Sequence, residues 1–261
     1  MTQAHSRIGP SSAHRWMACP GSVNLIKALE ARGVVTDDDA SGAALEGTIA
    51  HDILATCLIE DRDAWEMGED ERVDAKMLEH VQTTLDTLRP LSGRAFIETD
   101  VSLASYHPDA FGRLDFGFLH GEHLGIVDFK YGTWPVNPVG NPQLACYGLG
   151  LLEQITAKVE IVHFGIIQPR RQGPGIVWGD AATYEELLVW GLDTLAPAMA
   201  ATDEFDAALT PGKHCRFCPA KNDCPAYAAV DIKKRAAYNR VERTPVDAAT
   251  IFADFINPPQ E

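Results

Sequence analysis

The chain has 261 residues, 46% hydrophobic and 23% charged, an ordinary composition for a globular protein. No run approaches the roughly 20 apolar residues of a membrane span. Residues 1–16 lack the apolar core of a secretory signal, so a cytoplasmic protein with no membrane partner is expected. The net charge of -15 argues against indiscriminate nucleic-acid binding, but residues 211–243 carry eight Lys or Arg against three acids.

In chain order, the spacing predicts a first helix over 11–30, with Ser11 and Ser12 as N-caps and Trp16, Val23, Leu25 and Ile26 as its apolar residues. An Asp-rich loop follows over 36–39. From Ser41 to Ile59, Leu45, Ile49, Ile53 and Cys57 recur every four positions and predict one helix face. Another helix runs from Asp74 to Leu88 and stops before Pro90. The period then shortens. Arg94–Leu103, Phe111–Leu119 and Leu124–Tyr131 read as strands, and the tight 119–123 link makes the second and third a hairpin. A helix over 141–156, a β-branched strand Val159–Gln168 and a shorter strand Ile176–Trp178 come next. The last long helix spans Thr183–Met199, with Thr183 and Glu186 as its capping pair. The expected class is therefore α/β, with a core over 1–210, a Cys-rich basic segment over 211–243 and a partly ordered tail over 244–261.

Two strands carry acids in apolar surroundings. Alternation in GRLDFGF sets Leu114, Phe116 and Phe118 on one face and Asp115 on the other. In GIVDFKYG, Asp128 and Lys130 share a face with Ile126, about 7 Å apart along the strand. A hairpin brings Asp115 beside Asp128. A carboxylate in such a run is costly to bury unless it is paired or metal-bound. An ordinary Asp–Lys pair at a strand end and a Mg²⁺ site with an adjacent lysine are both compatible with this grouping.

Six cysteines in a chain of this kind are not expected to form disulfides. Cys215, Cys218 and Cys224 form C-x2-C-x5-C, and Pro219 and Pro225 each follow a cysteine directly. Three thiolates leave a four-ligand site one short, and Cys19, which also precedes a proline, is the leading fourth. Cys57 and Cys146 read as small buried hydrophobes, and His214 as a bystander. Zinc and an iron–sulfur cluster both suit four cysteines, and spacing alone does not separate them.

Taken in order, Glu46-Gly47-Thr48-Ile49-Ala50-His51, Gly112-Arg113-Leu114-Asp115, Asp128-Phe129-Lys130 and Gln143-Leu144-Ala145-Cys146-Tyr147 resemble the motifs of the RecB-type PD-(D/E)XK nucleases. The resemblance spans roughly residues 11–228. It implies a restriction-endonuclease-like core, with a mixed central β-sheet flanked by helices. It also implies that His51, Asp115, Asp128 and the Phe129 carbonyl bind Mg²⁺ or Mn²⁺, that Lys130 is catalytic, and that Gln143 and Tyr147 help to place DNA. One departure is that Gly-Arg-Leu-Asp stands where the wider superfamily has Pro-Asp.

One cysteine before the core and three after it resemble the iron–sulfur branch, the AddB-like recombination nucleases and the Cas-type exonucleases of CRISPR adaptation. That likeness implies a [4Fe-4S] cluster on Cys19, Cys215, Cys218 and Cys224, joining the N- and C-terminal segments. The Ser12–Pro20 opening further resembles phage- and prophage-encoded members. The expected activity is metal-dependent DNA cleavage, an exonuclease acting on ends or single strands in recombination, repair or phage replication, with a recombination or replication protein as partner. A non-catalytic DNA-binding or scaffold module of the same fold is the alternative. Arg170, Arg171 and the basic segment are candidates for gripping the DNA backbone.

Overall fold

Pro20 has no N–H to donate, and it divides the N-terminal helical region. In the computed structural model, which describes residues 6–35, 42–68, 72–173 and 175–240, a 3-10 turn (Pro10–Ser12) leads into α1 (Ala13–Trp16), and α2 (Gly21–Ala31) starts just beyond the proline. The single helix expected over 11–30 is therefore broken at Cys19-Pro20. Ser12 makes no side-chain cap; its hydroxyl donates to the Gly9 carbonyl instead.

Two longer helices follow, α3 (Gly42–Glu60) and α4 (Ala75–Leu88), the latter capped by the Asp74 carboxylate, which accepts from the Met77 N–H. Ile49, Ile53 and Cys57 are buried as their spacing predicts. Leu45 departs from that face and is half exposed, because the first turn of α3 overhangs the core, with Ala44 and Glu46 exposed beside it.

A meander of β1 (Arg94–Ser102), β2 (Phe111–His120) and β3 (His123–Phe129) comes next, paired antiparallel. Gly121 turns the hairpin at φ 59, where a side chain would be strained. α5 (Pro142–Leu152) then crosses over the sheet, so β4 (Ile161–Ile167) lies parallel to β3. A short α6 (Pro169–Gln172) precedes β5 (Ile176–Thr183), which pairs antiparallel with β4 and completes a mixed five-stranded sheet in sequential order. β5 is longer than Ile176–Trp178 because Ala181, Ala182 and Thr183 resume the pairing beyond a bulge at Gly179 and Asp180, without any apolar alternation to announce them.

Thr183 and Glu186 form the expected capping box at the start of α7 (Tyr184–Trp190). A π-turn over Gly191–Leu195 carries the helix into α8 (Ala196–Ala200). The C-terminal part is built of short turns, α9 (Pro225–Ala228) and α10 (Ile232–Tyr238). The expected loop over 36–39 and the tail over 244–261 lie outside the described residues. No described helix is long and apolar enough to cross a membrane.

Both faces of the sheet are covered. Phe116, Phe118, Val127, Phe129 and Ile167 pack under α3 and α4. Leu124, Ile126, Val162, Phe164 and Ile166 pack under α1, α5 and α7. Leu114 corrects the simple alternation, since it joins the α5 side while Phe116 and Phe118 face α3 and α4. The side chains change face around Asp115, opposite Glu98 of β1, whose backbone is left-handed at φ 44 between the pairs Ile97–Phe116 and Thr99–Leu114.

The chain ends of the core meet at α2. Asn24 donates to the carbonyls of Thr202 and Glu204, and Gly21 N–H to that of Ala208. Ile26 and Leu29 pack on Ala220. A Cβ at Gly21 would stand 2.3 Å from the Ala207 carbonyl oxygen, so only glycine permits this approach. Gly21→Ala should lower stability by about 1–3 kcal/mol in urea unfolding. Gly47→Ala, inside α3 with no described residue within 4 Å of its added methyl, should raise it by about 0.5–1 kcal/mol.

Candidate active site

The β2–β3 ladder runs from Phe116–Val127 toward the turn, and beyond its open end Asp115 bridges the strands by its side chain. Its Oδ2 accepts the Phe129 N–H at 2.8 Å. Its Oδ1 faces His51 Nδ1 of α3 at 3.5 Å. The His51 ring rests edge-on against the buried Phe129 ring, with centroids 5.0 Å apart, which fixes the imidazole over the strand end.

Asp128, the last but one residue of β3, is 1% exposed. Lys130 follows on the same face, its backbone N–H held by the Ile167 carbonyl of β4. Its ammonium meets Asp128 Oδ2 at 2.8 Å and donates to Gln143 Oε1 at 3.2 Å. Gln143 Nε2 donates to Asp128 Oδ1 at 2.7 Å and to the Tyr147 hydroxyl at 3.3 Å. Asn141 caps α5 by accepting the Gln143 N–H, and Pro142 occupies the first turn. That start sets Gln143 and Tyr147 one turn apart on the face that meets β3. The residues expected from four separated motifs thus converge through direct contacts.

Electrostatics tie them further. Burial disfavours the ionised form of Asp115, but the charge of His51, a hydrogen bond from it, Lys130 and the Phe129 N–H outweigh burial and hold its pKa below the ordinary value. Asp128 goes the other way: burial, aided by the Asp115 charge and only partly offset by Lys130, pushes it up to about 6. Burial also opposes the charged forms of Lys130 and His51, yet the neighbouring carboxylates raise both.

Glu98 completes the site and was not singled out by its sequence context. His51, Glu98 and Asp115 each offer a ligand atom, all within 4.8 Å of one another. Burial and then the Asp115 charge push Glu98 up to about 7. The available signal was its place in an apolar strand, in register with Asp115. Asp128 is absent from that close trio and is engaged by Lys130 and Gln143. Glu46 does not join the site; it pairs with Arg170 at 2.8 Å, and the Arg170 guanidinium lies over the Tyr131 ring.

Cys19, Cys215, Cys218 and Cys224 line one small cavity between α2 and the C-terminal turns, with His214 at its edge. The Sγ atoms of Cys19, Cys215 and Cys224 accept the backbone N–H groups of Thr210, Gly212 and Tyr227 at 3.3, 3.3 and 3.4 Å. The Ala220 N–H does the same for Cys218. Arg15, buried beside Cys218 and Cys19, donates to the Ser22 hydroxyl. His214 is turned to the Thr210 carbonyl, and Cys57 and Cys146 are fully buried elsewhere.

The raised Glu98 gives a pH prediction. The folded state holds a proton that the unfolded chain releases near pH ~4.3, so stability falls as pH rises from there to about 7. Glu98→Gln should therefore raise the melting temperature of metal-free protein by roughly a few degrees above neutral pH. The gain should shrink toward zero as pH falls to about 4, measured by thermal melts across that range.

A solved structure described as "Crystal structure of SSO0001" is 14% identical, covering 87% of this chain and 90% of that chain with a TM-score of 0.48. The family described as "Protein of unknown function (DUF2800)" matches residues 5–253, nearly the whole chain. The protein belongs to that DUF2800 family.

Proposed function

We propose that the protein is a metal-dependent deoxyribonuclease built on a restriction-endonuclease-like core. The observation that carries the reading is the buried Asp128–Lys130–Gln143 contact set beside the Asp115–His51 pair. Burial, and then the Asp115 charge, disfavour the ionised form of Asp128 despite Lys130, and Glu98 stands close to Asp115 and His51. Asp128 Oδ2 touches the ammonium of Lys130 but has no well-directed hydrogen bond. Hard oxygen donors with one imidazole suit Mg²⁺ or Mn²⁺, so His51, Asp115 and Glu98 fit a divalent ion, and Asp128, held beside them by Lys130 and Gln143, is the further ligand we infer.

A bound ion would acidify a water, polarise the scissile phosphate and stabilise the departing oxygen. The protein's own groups do the rest. Lys130, with 28% of its side chain open to solvent, is positioned to orient the attacking water and to offset charge developing on phosphorus. Gln143 grips both Lys130 and Asp128, so one amide sets their separation. Tyr147, bonded to Gln143 from the next turn of α5, limits the rotation of that amide.

The cysteine cavity fits a bound cluster by its chemistry. Each sulfur has a backbone N–H pointed at it, an arrangement that favours thiolate ligands. Arg15 supplies buried positive charge to balance them. By the resemblance of the cysteine pattern we infer a [4Fe-4S] cluster rather than zinc, and such a cluster would join the segment around Cys19 to residues 215–224.

End-labelled DNA incubated with Mn²⁺ should be cleaved by the wild type. Asp128→Ala and Lys130→Ala should each slow cleavage by at least about 10²-fold, and Gln143→Ala by about 10–100-fold. Absence of metal-dependent cleavage, or normal cleavage by the first two variants, would remove the nuclease reading. Independently, protein purified without oxygen should be brown and contain iron and sulfide, and Cys19→Ala should lose both. A colourless protein carrying one zinc per chain would refute the cluster.

A further inference from the structure

A groove of about 480 Å³ opens from Lys130 and Gln143 and runs between the 134–142 segment and the C-terminal turns. Among the described residues its lining contains no aspartate or glutamate, although the chain has 37 of them and a net charge of -15. Lys130, Lys213, Arg216 and Arg240 all face into it. Trp134 and Phe217 stand in the same wall, edge to face with ring centroids 6.1 Å apart. The Arg216 guanidinium lies 3.5 Å from the Trp134 ring centroid, and its Nη1 donates to the Asn239 carbonyl. Phe217 is 62% exposed, so its ring is accessible from the groove.

A run of cations beside the exposed Phe217 ring matches one ligand chemistry closely. Phosphates need the cations, and unstacked bases need the ring faces. A duplex offers its phosphates but keeps its base faces stacked inside. We propose, as a deepening of the nuclease reading and resting on it, that an unpaired DNA strand lies in this groove. Its backbone is held by Lys213, Arg216 and Arg240, a base stacks on Phe217, and the strand is led to Lys130. The geometry makes the groove the substrate-selecting part of the site, favouring single strands and frayed ends over intact duplex.

Binding can be measured apart from cleavage. Fluorescence anisotropy of labelled oligothymidylate and of a labelled hairpin duplex, both in EDTA, keeps chemistry silent. Oligothymidylate should bind at least about tenfold more tightly than the hairpin, and Phe217→Ala should weaken it by at least about fivefold. Arg240→Ala should reduce the salt slope of single-strand binding by about 0.7. Both residues are exposed, so an unchanged melting temperature is expected. Equal affinity for the hairpin, or wild-type binding of oligothymidylate by both variants, overturns the proposal. If this binding pattern holds while Mn²⁺ produces no cleavage, the nuclease reading fails and the groove stands. If cleavage occurs without it, the groove alone is refuted.

Discussion

The structure turns on the burial of negative charge where β2 and β3 separate. Asp115 accepts the N–H of Phe129 through its side chain, and Asp128 lies almost wholly out of solvent close by. Two carboxylates so placed in a low-dielectric seam repel each other and lose hydration, which costs several kcal/mol per ion unless it is compensated. The compensation comes from different layers: His51 from α3 above one face, Lys130 from the exit of β3, and Gln143 from α5 above the other. The seam is satisfied only when both helical layers are docked on the sheet. Folding the core and assembling the site are therefore the same event. The opposite displacements of Asp115 and Asp128, one down and one up, are what such a shared and incomplete compensation produces.

Much of this was legible in the residues. Alternation in β3 puts Asp128 and Lys130 on one face, and the four-residue step from Gln143 to Tyr147 puts both on one side of a helix; each follows from backbone geometry alone. The Thr183–Glu186 cap was equally plain, because a capping box is a local chemical event. What escaped depends on tertiary context. Glu98 matters only because strand register sets it against Asp115, and its left-handed backbone has no local sequence cause. The same local irregularity accompanies Leu114 on the α5 side. The break at Cys19-Pro20 was written in the proline and was hidden by an apolar spacing that continues across it. The far end of β5 has small and polar residues that pair through backbone alone.

The cysteines show a different kind of legibility. Their identity and spacing suggested a set of four, but nothing local tells that residue 19 meets residues 215–224. That meeting depends on Gly21 admitting the carbonyl of Ala207 and on Asn24 tying down the chain at 202–204. The helix break at Pro20 serves the same end, since it places Cys19 at a corner where its sulfur receives the Thr210 N–H.

The cavity and the groove share one element, and this links the parts of the molecule. In the 3-10 turn Lys213–Phe217, Cys215 points into the cysteine cavity while Lys213, Arg216 and Phe217 line the groove that reaches Lys130. A turn of five residues has little stability of its own and takes its position from what its side chains grip. Arg216 on Trp134 holds it from one side, and the Cys215 side chain, buried in the cysteine cavity, holds it from the other. Fixing Cys215 therefore also fixes the cations and the exposed ring of the groove wall. On this geometry the proposed cluster and the proposed strand-binding wall are two sides of a single turn. In a chain of net charge -15, the described lining of this groove carries cations and no carboxylate, so a phosphate backbone meets favourable charge there.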